Sequence, residues 1–221
     1  MRRVLFQAVA IVALSLPAVA VAEPIRADSQ EEVLVRRILS RYARCLIKSD
    51  PRGVQSALLA DPNSGQFERW RGQLHGECLT VPREGYHVYP DDAQLRFVLA
   101  DDLIRQTKAN VRASDLASLP PLPHPSASGR PGGKVKNVPV DPFLAFLSPL
   151  GECIVRAQPA NAAALLQTKP STAAETASTD ALLRGVSPCT GGRRLTIDTA
   201  TFRGAVALGY FRLAKAAGAK K

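Results

Sequence analysis

Cys45-Leu46-Ile47-Lys48, followed by Pro51, is the stretch that decides the fold, because it recurs as Cys153-Ile154-Val155-Arg156, followed by Pro159. Both stretches have the same distance from cysteine to proline, and a segment rich in alanine and leucine follows each of them. Self-similarity that keeps its order along a chain is the signature of an internal repeat. The sequence therefore predicts one structural unit that is present twice.

The correspondence continues to the end of each copy. A second cysteine, Cys78 or Cys189, is followed by an aspartate, Asp91 or Asp198, and then by a segment with helical spacing of apolar residues. The matched positions of that last segment are Ala93, Leu95, Arg96, Ala100, Ile104 and Arg105 in the first copy and Ala200, Phe202, Arg203, Ala207, Phe211 and Arg212 in the second.

Four cysteines allow three pairings, and the repeat selects one of them. Equivalent positions should form equivalent bonds, which predicts Cys45–Cys78 and Cys153–Cys189. In the chain-entropy model each bond stabilises its unit by roughly 3 to 4 kcal/mol. The competing interpretations are a metal site or a reactive thiol, but the chain has no Cys-x-x-Cys pair.

Each unit is expected to consist of three helices, so the predicted fold class is all-α. Ser29 and Glu32 have the spacing of a capping box at the start of a helix that continues to Lys48. Proline suits the first turn of a second helix, and aspartate suits the N-cap of a third. An irregular segment should carry the second cysteine, with short strands possible near Tyr86 to Tyr89 and Leu195 to Ile197.

The ends of the units follow from changes in composition. Residues 1–22, with Arg2, Arg3 and an apolar run, have the pattern of a cleaved signal peptide, which places the protein outside the cytosol, in the periplasm or secreted. The alternative is an uncleaved anchor. No later stretch is long and apolar enough to span a membrane. The predicted units are 23–110 and 142–221, and a flexible, basic linker rich in proline and glycine occupies 111–141.

The chain is basic, with 29 Lys+Arg against 19 Asp+Glu. Such an excess favours anionic partners. In the first predicted helix, four basic residues fall within about 60° of one another on the side opposite the apolar face. These candidate anion-binding residues are Arg37, Arg41, Arg44 and Lys48. The alternative is an ordinary solvated helix face, since the second copy has only Arg156, at the position of Lys48.

The loop around the second cysteine of the first copy differs most from its counterpart. It combines aromatic and basic residues that could stack on a sugar or base and neutralise an acidic group. The candidate ligand-binding residues are Arg69, Trp70, Arg71, Arg83, Tyr86 and His87. The alternative is that Trp70 fills the core beside the disulfide.

Recognisable catalytic patterns are lacking in the sequence. We found no nucleophile elbow, zinc-protease helix or dinucleotide-binding glycine pattern, and we predict no catalytic residue, metal or cofactor. A glutamate in an apolar cleft could act as a general acid, and the loop offers Glu68, Glu77 and Glu84, although their spacing singles out none of them.

The leading functional prediction is therefore an exported, non-enzymatic binding module for an anionic partner. The candidate partners are an envelope polymer, a lipid surface or a protein, and nucleic acid is not expected. One alternative is a cell-envelope hydrolase that uses a single glutamate. A second alternative is a structural or assembly factor that oligomerises through apolar helix faces.

Overall fold

A computed structural model describes residues 28–74, 78, 90–107, 113–125 and 141–218. In these ranges helices are the only regular secondary structure, which confirms the predicted all-α class. Of the two possible strands, Leu195 to Ile197 form none, and Tyr86 to Tyr89 lie outside the described residues. The helices are α1 (Gln30–Ser49), α2 (Pro51–Leu59), α3 (Gln66–Gly72), α4 (Asp92–Thr107), α5 (Ala113–Ala117), α6 (Pro142–Ala157), α7 (Pro159–Gln167), α8 (Ala173–Leu183), α9 (Ser187–Thr190) and α10 (Thr199–Gly218).

The helix starts are the ones that the side chains predict. Ser29 and Glu32 form the capping box of α1, with the Glu32 N–H donating to Ser29 Oγ over 3.2 Å. Asp91 Oδ1 accepts from the N–H of Gln94 before α4, and Asp198 Oδ1 accepts from the N–H of Thr201 before α10. A proline is the first residue of both α2 and α7.

Helix α10 lies at the centre of the core. It is buried without interruption from Phe202 to Leu213, and it packs most extensively against α6 and α4. Its approach to α6 depends on two glycines, since a Cβ on Gly209 would lie 2.7 Å from the carbonyl carbon of Gly151. Phe97 of α4 contacts Gly204 of α10, so the two halves of the chain share one core.

The segments predicted to be irregular contain additional helices. Helix α3 precedes Cys78, and α8 and α9 occupy the corresponding part of the second half. Helix α3 forms because Phe67 and Trp70 are three residues apart, so that one face of the helix can bury both side chains.

The described residues 113–125 of the predicted linker contact α6 through side-chain hydrogen bonds. Arg156 donates hydrogen bonds to the main-chain carbonyls of Leu116, Ala117, Leu119 and Pro120. Composition alone does not predict these contacts, because it does not show which side chains can bind the carbonyls of an extended backbone. The remaining linker residues, 111–112 and 126–140, lie outside the described part of the chain. No described helix has the length and hydrophobicity needed to cross a bilayer.

Candidate functional site

The first candidate site is the outer face of α1. Arg37, Arg41, Arg44 and Lys48 are all exposed, and at 1.5 Å per residue they extend along about 16 Å of the helix. We call these four residues the basic face. The opposite side of α1 buries Ile38, Tyr42 and Leu46, and α1 packs against α4.

The basic face is held on a fixed helix. The Cys45–Cys78 disulfide is present, with 5.7 Å between the two Cα atoms, and it ties the end of α1 to the segment after α3. Arg44 Nε donates to the carbonyl of Ser40 over 3.2 Å, which orients its guanidinium along the helix. Among the described residues, Arg37 and Lys48 form no salt bridge.

The described residues of the predicted ligand-binding loop, Arg69, Trp70 and Arg71, make separate contacts and do not line a common site. Trp70 is 8% exposed, and its Nε1 donates to Asp50 Oδ2 over 3.1 Å. Its ring packs against Phe67 with a centroid distance of 5.4 Å. Trp70 is therefore a core residue, because the apolar face of α3 is turned inward, and this is the alternative that the sequence left open for it.

The arginines on either side of Trp70 make local contacts. Arg69 donates to the carbonyl of Ser64 over 3.1 Å, whereas Arg71 pairs with Asp92 and donates to the carbonyl of Pro90. The other members of this candidate site, Arg83, Tyr86 and His87, lie outside the described residues.

The second candidate site, which the sequence analysis missed, is a cleft of about 510 Å³ between α1, α4 and α10. One wall is apolar, and an ionic cluster lines the other. The apolar lining includes Val35, Leu39, Phe97 and Val98, and the charged lining includes Arg36, Asp101, Arg105 and Arg203.

The ionic cluster is centred on Arg203, whose side chain is 2% exposed. Its Nε donates to Asp101 Oδ1 over 2.9 Å, and its Nη1 donates to Glu175 Oε1 over 3.2 Å. The same Glu175 also accepts two hydrogen bonds from Arg36 of α1. The cluster therefore joins α1, α4, α8 and α10 by buried charges that are paired, as burial requires.

Asp102 and Arg105 extend this cluster towards the solvent. Burial raises the pKa of Asp102, although the nearby Arg105 charge and a hydrogen bond from Ser40 act in the opposite direction. Arg105 Nη2 lies 2.6 Å from Asp102 Oδ1 and 3.3 Å from Asp101 Oδ2. The guanidinium groups of Arg105 and Arg203 are already paired with carboxylates of the protein. The cluster therefore stabilises the packing of the helices and is not an anion-binding site.

A third arrangement brings together a serine, a histidine and a glutamate. His124 Nδ1 lies 2.9 Å from Ser148 Oγ, and its Nε2 lies 2.9 Å from Glu152 Oε2. This is the order of groups in a serine-hydrolase triad. Ser148 is 3% exposed, however, and the cavity beside it has a volume of only about 10 Å³, so no substrate carbonyl can reach its hydroxyl.

Glu152 instead holds the proline-rich segment in place. Burial alone would raise its pKa, but hydrogen bonds from His124, Arg156 and the N–H of Leu122 outweigh burial and lower the pKa. The sequence placed His124 in a mobile linker. The sequence signal for the contact between His124 and Glu152 is weak. It consists of the i,i+4 spacing of Glu152 and Arg156, which predicts two neighbouring charges on one face of α6.

Metal binding at Cys78 finds no support, because its sulfur is in a disulfide. Cys189 is likewise bonded to Cys153, so both predicted disulfides are present. The described residues contain no group of histidine, cysteine and carboxylate side chains that could hold a metal ion. Comparison of the chain with protein-family models, with curated proteins and with solved structures finds no match.

Proposed function

We propose that this chain is an exported, non-enzymatic binding module and that the basic face of α1 contacts an anionic partner, namely an envelope polymer, a lipid headgroup surface or an acidic protein. The observation that carries the proposal is the exposure of all four cations along one side of a helix whose other side is anchored in the core. Arginine binds phosphate and carboxylate groups through paired N–H donors. The net charge of +10 adds attraction at longer range.

We further propose that the protein arose by duplication of one helical unit, with residues 23–110 and 142–221 as the two copies, 111–141 as the linker and 1–22 as a signal peptide. Matched backbone geometry supports this. Asp50 and Gln158 end α1 and α6 with φ and ψ of −142° and 72° and of −138° and 56°, and each is followed by a helix of nine residues.

An ion pair that recurs at the same sequence spacing also supports the duplication. Arg96 Nη2 donates to Glu68 Oε1 over 3.1 Å, and Arg203 Nη1 donates to Glu175 Oε1 over 3.2 Å. In both pairs the glutamate precedes the arginine by 28 residues. We therefore propose that α3 and α8, which carry the glutamates, are equivalent in the two copies and that the ancestral unit had four main helices.

Export is supported by the two disulfides, which form and persist in oxidising compartments. The hydrolase alternative has less support, because Glu68 is paired with the buried Arg96 and lines neither of the cavities described above. Glu77 and Glu84 lie outside the described residues.

One observation favours the assembly alternative. Phe143 and Phe146, one helical turn apart on α6, are 47% and 54% exposed. A second copy of the chain could bury them, and sedimentation over a concentration series would then show association that Phe146→Ser weakens.

Binding to anionic vesicles and to acidic envelope polysaccharide tests the main proposal. The triple variant Arg37→Glu, Arg41→Glu, Arg44→Glu should bind a vesicle containing anionic lipid about 100-fold or more weakly than wild type, since each surface cation is worth ~1 kcal/mol there. The affinity of wild type should also fall as salt is raised.

The matched control reverses three exposed cations elsewhere, Lys169, Arg184 and Arg193, and so changes the net charge equally. If both triple variants lose the same affinity, net charge alone explains binding and the basic face is not the site. If wild type binds none of these anionic surfaces and no acidic protein from an envelope extract, the proposed function is wrong.

A further inference from the structure

Two cavities have the same construction in the two halves of the chain. Each is lined by a serine of the first helix of its half, five residues before the first cysteine, and by an arginine of the last helix of the same half. A buried arginine from the last helix of the other half completes each lining. The matched pairs are Ser40 with Ser148, Arg105 with Arg212 and Arg203 with Arg96. Under the proposed duplication, the cleft between α1, α4 and α10 is therefore equivalent to the small cavity between α4, α6 and α10.

The two cavities differ greatly in size. The first has a volume of about 510 Å³, and the second has about 10 Å³, with the buried Pro125 as part of its lining. On the adjoining face of α6, Leu147 and Ser148 are buried. The matched Leu39 and Ser40 of α1 are only half-buried. A proline-rich segment of the chain thus occupies, in the second half, the space that corresponds to the open cleft.

Residues 119–125 form this segment, which has no helix and contains four prolines. Proline restricts its own backbone and that of the preceding residue to extended conformations. Leu119 and Pro125 are buried, and Leu122 is half-buried against the core. These three side chains are three residues apart, which is the period of a polyproline II helix. The segment therefore packs on the helices as an extended peptide.

Hydrogen bonds from α6 and α10 hold the segment largely by its backbone. Arg212 Nη2 donates to the carbonyl of Pro123 over 2.9 Å. Glu152 accepts from the N–H of Leu122 over 3.2 Å, and its other oxygen lies 2.9 Å from His124 Nε2. Main-chain contacts of this kind, with apolar side chains in pockets, are a recurring way of binding extended peptides.

The open cleft offers corresponding donors. Ser40 and Arg105 stand at the positions of Ser148 and Arg212. Arg105 is 28% exposed, and its hydrogen bonds to Ser40 and Asp102 run from Nη2. A guanidinium has five N–H donors, so Arg105 can also donate to the carbonyl of a bound peptide.

The apolar wall of the open cleft provides a surface for proline or leucine side chains. Leu39 and Val98 are half-buried, and Val35 is 46% exposed. An apolar group bound in the cleft would remove their surfaces from water, which is favourable.

One position reverses the charge. Arg44 lies directly before Cys45, as Glu152 lies directly before Cys153. Where Glu152 accepts from the segment, Arg44 can only donate. The occupant of the open cleft must therefore present an acceptor at the position of His124, and a carboxylate pairs with a guanidinium most strongly.

We propose that the cleft between α1, α4 and α10 binds an extended, proline-containing peptide of a partner protein and that an acidic residue of this peptide pairs with Arg44. The inference rests on the proposed duplication and, through Arg44, on the proposed function of the basic face. It assigns an acidic protein as the partner.

Fluorescence anisotropy of labelled peptides with the full chain tests the proposal. The first two peptides have the sequence of residues 116–125 with His124→Glu or with His124→Lys. The Glu peptide should bind about fivefold or more tightly than the Lys peptide, as one exposed ion pair allows. A third peptide, the Glu peptide with every proline replaced by alanine, should bind more weakly, because it is not held in an extended conformation.

A charge exchange identifies the residue that reads the peptide. Arg44→Glu should reverse the ranking, so that the Lys peptide binds more tightly than the Glu peptide. Arg37→Glu is the matched control, since it makes the same change of charge at another exposed position of the basic face, and it should keep the wild-type ranking. The same ranking in Arg44→Glu as in wild type, or wild type that binds no peptide, would overturn the proposal.

Nuclear magnetic resonance of wild type locates the peptide and covers the case in which Arg44→Glu fails to fold. The amide signals of Leu39, Ser40 and Val98 should shift on addition of the Glu peptide. Shifts at Leu147 and Ser148 instead would mean that the peptide displaces the chain's own segment, which contradicts the proposal. If the basic face still binds anionic vesicles while no peptide binds, this inference fails and the proposed function stands.

Discussion

Arg203 and Glu175 form an ion pair in which neither side chain is more than 2% exposed. The pair connects α10 to α8, and Glu175 also binds Arg36. Asp101 is a second carboxylate partner of Arg203, and Asp28 is a second partner of Arg36. A second ion pair, Glu68 with Arg96, has a glutamate that is 27% exposed. The Arg203–Glu175 pair is therefore less screened by solvent than the Arg96–Glu68 pair.

Glu175→Gln should therefore destabilise the protein strongly. Breaking a buried pair costs about 3 to 5 kcal/mol where it leaves a charge uncompensated. Because Asp101 and Asp28 still contact Arg203 and Arg36, we expect a loss at the lower end of that range. Glu68→Gln should cost less, because solvent screens the exposed glutamate. Urea unfolding of both variants measures the difference, and equal losses would contradict the ranking.

The close approach of α6 and α10 predicts the effect of a single methyl group. In Gly209→Ala the new Cβ would lie 2.7 Å from the backbone of Gly151, so the helices must separate. We expect a loss of about 1 to 3 kcal/mol. Gly72→Ala is the matched control, since a Cβ there meets no atom within 4 Å. A stability of Gly209→Ala equal to that of the control would show that the helices do not pack this closely.

Each disulfide should contribute a similar amount to stability. The bonds close loops of 33 and 36 residues, so removing either by paired alanine substitution should cost about 2 to 5 kcal/mol. Chemical denaturation of the two double variants gives the comparison. Non-reducing peptide mapping supplies the direct check, and a peptide linking Cys45 to Cys153 or Cys189 would disprove the pairing.

The stability contributed by Glu152 should depend on pH. Its pKa is lower in the folded state than in the unfolded state, so its contribution is complete above the unfolded-state pKa and is lost as pH falls through the folded-state pKa. Glu152→Gln should cost about 1 to 3 kcal/mol at neutral pH. Unfolding measured over a pH series should show the variant and wild type converging in acid. A gap that stays constant at every pH would contradict this role.

Local sequence signals predicted much of the fold. The capping box of Ser29, the N-caps Asp91 and Asp198, and the prolines that begin α2 and α7 act within one helical turn, so their effect can be read from neighbouring residues. The repeated spacing of the cysteines also predicted their pairing. The four cations of α1 were placed on one face by helical periodicity alone.

Tertiary structure decided which polar and aromatic residues are buried. Arg96, Arg203 and Arg212 look like surface residues in the sequence, but each lies within 4% of complete burial because distant segments surround it. Tertiary structure also places His124, from a proline-rich segment, against Glu152 of α6 and forms the cleft between α1, α4 and α10. Local patterns report which face of a helix is apolar, whereas the burial of a charge depends on partners contributed from elsewhere in the chain.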